Sequence, residues 1–209
     1  MKVLILNGSP RINGNTTLAL KEIEKVFIEE GVEFENIQVG NLTIRGCLAC
    51  NYCYTHEKCV VDDIVNELSI KFKEADGLII ASPVYYASAN GTLISLLDRL
   101  FYSSHFDKSM KVGASIAVAR RGGCSATFDE LNKYFTISNM PVVSSIYWNS
   151  VHGRKIGEAI YDEEGLLTMR YLARNMVFLM KLISLGKEKY GLPLKEERVF
   201  TNFIKDVKE

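Results

Sequence analysis

The amino-acid sequence predicts an α/β fold, a doubly wound five-stranded parallel sheet of order 2-1-3-4-5 with helices on both faces. Two observations carry that prediction. Short apolar runs alternate with longer segments of helical periodicity along the chain, and this alternation implies a parallel sheet covered on both sides. There are five such strand–helix units, a number that favours the doubly wound fold with this strand order. In this architecture ligands bind outside the carboxyl ends of the strands, so the turns after the first, third and fourth strands should meet.

Each element has a local reason. Lys2–Asn7 reads as a buried strand, broken by Gly8, Ser9, Pro10 and Arg11. A helix follows from about Asn15 to Glu30, with Leu20, Ile23, Val26 and Phe27 on its inner face and Gly31 as its stop. Glu33–Val39 is a second, shorter strand, and 43–61 an irregular loop with four cysteines. Asp62 and Asp63 cap a helix running to about Glu74. Leu78–Ala81 is the third strand, ended by Ser82-Pro83, and Ala89–Tyr102 a helix burying Leu93, Leu96, Leu97 and Leu100. Val112–Val118 is the fourth strand, followed by Arg120-Arg121-Gly122-Gly123 and a helix from about Ser125 to Phe135. Val142–Trp148 reads as the fifth strand. Glu163–Lys189 is mostly helical, with a break expected at Gly186.

Composition narrows the function classes. A chain of 209 residues is long enough for one full domain, expected over 1–209 with a peripheral charged tail from about residue 190. Lys+Arg and Asp+Glu are both 25, so no global field draws the chain to nucleic acid or an anionic membrane. No apolar run reaches the roughly 18–20 residues that a membrane-spanning helix needs. The N-terminus reads as a strand rather than a signal peptide, so a cytoplasmic location is expected. There the five cysteines should be reduced, metal-bound or catalytic rather than paired.

Three turns carry chemistry. The first contains Ser9, Arg11, Asn15, Thr16 and Thr17 at the start of a helix, where free backbone N–H groups, hydroxyls and a guanidinium suit a compact terminal phosphate. It has neither G-x-x-x-x-G-K-[ST] nor G-x-G-x-x-G, which argues against a P-loop and a dinucleotide fingerprint. A capped helix with a polar loop is the plainer alternative. The second turn, Pro83, Val84, Tyr85, Tyr86 and Ala87, offers aromatics and backbone amides to a flat ring; two tyrosines at a sheet edge are the plainer account. In the third, Gly122 and Gly123 permit close backbone approach, and Arg120 and Arg121 supply positive charge; a tight turn with solvated arginines is the alternative. No side chain in these turns stands out as a general acid or base.

The residues resemble those of the NAD(P)H-dependent FMN reductases, a branch of the flavodoxin-like superfamily. The resemblance rests on an ordered set: Asn7-Gly8-Ser9-Pro10-Arg11 with Asn15-Thr16-Thr17, Ser82-Pro83-Val84-Tyr85, Leu97-Asp98-Arg99, Arg120-Arg121-Gly122-Gly123, Tyr147-Trp148-Asn149 and Asp162-Glu163-Glu164-Gly165. It implies that the first turn holds the FMN phosphate, that the second and third flank the isoalloxazine, and that NAD(P)H is a co-substrate. The expected acceptor is a quinone, flavin, nitro compound or iron–sulfur centre. The resemblance also implies a homodimer or homotetramer.

Cys47, Cys50, Cys53 and Cys59 are separated by two, two and five residues. Thiolates so spaced can wrap a compact metal centre. The pattern is similar to that of the iron–sulfur flavoproteins of the same family, which implies a [4Fe-4S] cluster exchanging electrons with FMN and ferredoxin as a partner. A structural zinc and plain reduced thiols are the other two readings. His56 lies within the loop and reads as a solvent-exposed side chain, and Cys124 as a small buried thiol.

Overall fold

The computed structural model describes residues 1–197 and 199–201. In chain order the elements are β1 (Lys2–Asn7), α1 (Asn15–Glu29), β2 (Glu33–Gln38), α2 (Tyr52–His56), α3 (Ile64–Glu74), β3 (Gly77–Pro83), α4 (Gly91–Ser103), β4 (Val112–Ala119), α5 (Cys124–Thr136), β5 (Ser150–His152), a 3₁₀ turn (Glu158–Tyr161) and α6 (Glu163–Tyr190). The strands pair in parallel in the order β2-β1-β3-β4-β5, as the sequence predicts.

Strand side chains alternate between two cores. Val3 and Ile5 of β1 join Ile79, Ala114 and Ile116 under α1 and α6. Leu4 and Leu6 join Leu78 and Ile80 under α3, α4 and α5. Both faces of the central strands are therefore closed to water, which is why these runs are apolar throughout. Arg170 and Glu22 pair at 2.7 Å across the α1–α6 contact.

Two expectations need correction. The fifth strand is not Val142–Trp148. The chain pairs once at Val142–Val143, where Gly113 N–H donates to Pro141 O at 2.8 Å and Val143 N–H to Gly113 O at 2.9 Å. It then bulges out, exposing Ile146, Tyr147 and Trp148. Asn149 brings it back: its carbonyl accepts from Ala117 N–H at 2.9 Å and its side-chain amide donates to Ser115 O at 3.0 Å. Only Ser150–His152 completes the ladder. The apolar character of 142–148 reflects the bulge, not a continuous strand.

Gly186 is not a break. Helix α6 runs through it to Tyr190 and stops at Gly191, where φ is +77°. Glycine costs a helix interior only about 1 kcal/mol. The stripe from Gly165 to Met180, packed on the sheet, is enough to carry the helix past it. Beyond Gly191 the described residues 192–197 and 199–201 are exposed and form neither helix nor strand; the rest of the expected tail, 198 and 202–209, lies outside the described residues.

Candidate functional site

The turns after β1, β3 and β4 meet at the carboxyl edge of the sheet. Gly8 N–H donates to Ala81 O at 2.7 Å, Asn90 Nδ2 donates to Gly8 O at 2.7 Å, and Val84 N–H donates to Val118 O at 2.9 Å. Gly123 lies so close to the β3 turn that a Cβ there would stand 2.9 Å from Ala87 Cα and from Val84 Cγ1. Its φ of +92° independently excludes most side chains.

The helix starts differ in how they are capped. Asp63, Asn90 and Asp162 cap α3, α4 and α6 with their own side chains. The α1 and α5 starts have no side-chain cap. Among the described residues the N–H groups of Asn15, Thr16 and Thr17 have no hydrogen-bond partner. Three aligned donors at the positive end of a helix dipole form an anion cradle.

The five residues expected to hold a phosphate divide into two groups. Ser9 and Thr16 are buried beside the α1 start, and Arg11 is exposed with no side-chain partner among the described residues. Ser9 Oγ accepts from Arg11 N–H at 3.1 Å and so shapes the turn. Asn15 and Thr17 have their side chains committed elsewhere. Asn15 Nδ2 donates to Lys155 O at 2.9 Å, and its Oδ1 accepts from Gly157 N–H at 3.1 Å and Ala159 N–H at 3.2 Å. Thr17 Oγ1 donates to Ile12 O at 2.7 Å and accepts from Asn7 Nδ2 at 3.2 Å. These two build the cradle and contribute their backbone N–H groups to it.

The β3 turn is a tight reverse turn. Tyr85 N–H donates to Ser88 O at 2.9 Å and Ser88 N–H to Tyr85 O at 3.0 Å. Tyr86 and Ala87 have φ of +51° and +60°, a conformation non-glycine residues adopt only when held. Glu130 of α5 holds it, accepting from Ser88 Oγ at 2.9 Å and Ala89 N–H at 2.8 Å. Tyr86 is left fully exposed at the tip. Pro83 and Val84 are half-buried, and Tyr85 and Ala87 are exposed. Arg120, Arg121 and Gly122 are exposed on the facing turn, and neither arginine side chain has a partner among the described residues.

Sequence reasoning missed the buried amides that pin these turns. Asn7 Oδ1 accepts from Ser9 N–H at 3.0 Å, and Gln38 donates to Ser9 O. Asn90 N–H donates to Ser82 Oγ at 2.9 Å. It also missed a fourth wall, residues 152–159, fastened by Asn15. There Cys124 Sγ lies 3.9 Å from His152 Nε2, and His152 Nδ1 lies 3.3 Å from Asp162 Oδ2. Burial pushes the Cys124 thiol up, and the charge of Asp162 adds to it.

The four cysteines of the 43–61 loop line one cleft together with Leu48, Val61, Arg99 and Tyr102. Cys53 is buried, Cys59 partly buried, and Cys47 and Cys50 exposed. Ala49 and Asn51 alternate into positive φ, +50° and +57°, and turn the chain back on itself between the sulfurs. Burial pushes the Cys53 thiol up, and the thiols of Cys47, Cys50 and Cys59 add to it by proximity. Yet no three of the described His, Cys, Asp and Glu side chains form a ligand set for one ion. His56 is not among the residues lining the cleft; its ring stacks on Tyr52 with centroids 3.7 Å apart.

Arg99 of α4 closes the cleft from beneath. It is 1% exposed. Its guanidinium binds Asp63 bidentately at 2.7 and 2.8 Å, and Nε and Nη2 each donate to Cys59 Sγ at 3.3 Å. Burial by itself would push the Asp63 carboxyl up, but the hydrogen bonds from Arg99 and Val65 N–H and the charge of Arg99 hold it below its ordinary value.

Residues 1–155 match the model of the NADPH-dependent FMN reductase family. An iron–sulfur flavoprotein of Methanocaldococcus jannaschii is 37% identical over 191 residues, covering 88% of this chain and 99% of the relative. The RosB crystal structure with bound 8-demethyl-8-formylriboflavin-5'-phosphate superimposes with a TM-score of 0.70 at 16% identity, covering 100% and 98% of the two chains. A flavodoxin from the domain Archaea gives 0.60 at 14% identity, covering 87% and 99%. The chain therefore has a flavodoxin-like fold and belongs to the NADPH-dependent FMN reductase family of flavin oxidoreductases, within its iron–sulfur flavoprotein branch.

Proposed function

We propose that the chain binds FMN at the carboxyl edge of the sheet and a [4Fe-4S] cluster in the cysteine cleft, and moves electrons between them. The observation that carries the FMN site is the uncapped start of α1, with three free N–H groups, meeting the turns after β3 and β4. Bound FMN supplies a ring that accepts hydride and releases electrons singly or in pairs.

The protein's part is to bind and orient. Asn15, Thr16 and Thr17 N–H, Ser9, Thr16 and Arg11 hold the phosphate. Pro83, Val84, Tyr85, Tyr86 and Ala87 on one side, and Gly122 and Gly123 on the other, frame the ring. Arg120 and Arg121, exposed at the rim with no partner among the described residues, favour the anionic reduced ring or an incoming nucleotide phosphate.

The two, two and five spacing of the four cysteines, their shared cleft and the iron–sulfur flavoprotein relatives support a cluster over a single zinc. NAD(P)H or ferredoxin is the donor, and a quinone, flavin, nitro compound or iron–sulfur protein the acceptor. The chain works as a homodimer or homotetramer in the cytosol. The absence of strong net negative charge favours an enzyme over a simple carrier steered to basic partners.

The test is the visible spectrum of anaerobically purified protein with FMN, iron, zinc and acid-labile sulfide counted, followed by steady-state NADH and NADPH oxidation with quinone or ferricyanide. One FMN and four irons per chain with nicotinamide turnover support the proposal. Flavin without iron removes the cluster. No turnover with either nicotinamide, but rapid exchange with ferredoxin, makes the protein a carrier.

A further inference from the structure

We infer that Arg99 is a positioning residue for the cluster, seating Cys59 and raising the reduction potential of the group that Cys59 would ligate. This rests on the cluster reading of the cysteine cleft and deepens it.

An arginine at 1% exposure has lost its hydration and must replace it. Arg99 does so completely. Nε donates to Cys59 Sγ; Nη1 donates to Asp63 Oδ2 and to Arg45 O at 3.4 Å; Nη2 donates to Cys59 Sγ, Asp63 Oδ1 and Val61 O at 3.2 Å. All five N–H groups therefore face acceptors, and the sulfur receives two of them. The backbone of Cys59 is held separately, its N–H donating to Asn66 Oδ1 at 2.9 Å and its carbonyl accepting from Asn66 Nδ2 at 3.2 Å. Anchoring the loop thus does not require a guanidinium on the sulfur. Asp63 alone would satisfy only part of the fork.

The consequence is electrostatic. A cluster with four thiolate ligands gains one negative charge on one-electron reduction, with no bond made or broken and no proton moved. Donors to a ligating sulfur favour the more negative state and raise the potential. Asp63 faces the same guanidinium and tempers its charge. Removing Arg99 and removing the Asp63 charge should therefore shift the potential in opposite directions.

The experiment is an anaerobic, dye-mediated dithionite titration followed by the electron paramagnetic resonance signal of the reduced cluster, with iron and sulfide counted in every sample. R99Q should lower the reduction equilibrium constant about tenfold, which is about 59 mV for a one-electron couple. R99K keeps the charge without a fork spanning Cys59 and Asp63, and should fall between R99Q and the wild type. D63N keeps the α3 cap, since Asn caps as well as Asp, and should move the potential upward. Full iron loading with unmoved potentials, or D63N shifting downward, overturns the role of Arg99 and leaves the cluster intact. Wild-type protein without iron overturns the cluster reading and this inference with it. Should R99Q fail to fold, R99K and D63N decide the matter by the same criteria.

Discussion

The two clefts of this molecule are built in opposite ways. The turns at the sheet edge are held by buried amides and a carboxylate from several elements: Asn7, Gln38, Asn90 and Glu130. The cysteine cleft is drawn from a loop in which 43–51 forms no helix or strand, and its chief fixed points are Arg99 and Asn66. Helix α4 joins them. Asn90 caps its start and Arg99 lies nine residues on, about 14 Å along the helix axis. A site assembled from strand ends inherits its shape from the sheet. A site assembled from a loop depends on one buried cation and on whatever it holds.

This contrast can be broken or sharpened by experiment. The largest effect is expected from N90A. It uncaps α4 and strips Gly8 O and Gly40 O of a buried donor. A loss of about 2–4 kcal/mol in urea unfolding is expected, with weaker FMN binding by fluorescence quenching. Unchanged FMN affinity would show that the edge turns are not pinned by Asn90.

G123V comes next. A β-branched residue at φ +92°, with its Cβ against Ala87 and Val84, should cost about 1–3 kcal/mol and push the two ring-framing turns apart. FMN affinity should fall while iron content stays at the wild-type level. Loss of both together would mean that the clefts are not independent.

Chelation of iron should act on the other side. Limited proteolysis within 43–58 is expected to accelerate on the order of tenfold once the group is removed, with the turns at 8–14 and 83–88 no more susceptible than before. Equal acceleration everywhere would contradict a cleft-specific dependence.

The smallest effect lies far from both clefts and serves as a control. Burial pushes the Glu22 carboxyl up, but its bonds to Lys25 and Arg170 outweigh this and hold it below its ordinary value of 4.5. A carboxylate lowered on folding contributes stability above its unfolded value, and that contribution is lost as pH falls through the folded one. E22Q should therefore cost about 0.5–1 kcal/mol at pH 7, with the gap closing below about pH 4.5. A gap that persists at pH 3 would mean that packing, not charge, joins α1 to α6.

Much of the edge cleft was legible because its signals are local. Gly8-Ser9-Pro10-Arg11 before an uncapped helix, and Gly122-Gly123 before another, announce themselves in a few residues. The partners that make them rigid were not legible. The sequence placed Asn90 simply inside the expected Ala89–Tyr102 helix, and nothing near residue 90 points to Gly8, 82 positions away. Asn15 and Thr17 looked like phosphate ligands because side-chain type was visible, whereas their commitments to Lys155–Ala159 and Ile12 were not. The fifth strand was misplaced for a related reason. An apolar run marks sheet proximity, but the ladder resumes only where Asn149 supplies its own amide.

By itself, then, the sequence determined the alternation of strands and helices, the parallel order of the sheet, the position of the polar turn before α1 and the spacing of four thiols. Each follows from residues within about one turn of helix or one strand of one another, where backbone preference and hydrophobic period decide. Only the tertiary structure decided which polar side chains are tied into the turns and which are left without a partner among the described residues. Burial removes water from Asn7, Asn90 and Arg99, and each must then take whatever partner the fold brings within hydrogen-bond reach. For Arg99 that partner is a cysteine sulfur 40 residues away, and no local pattern in the chain could have named it.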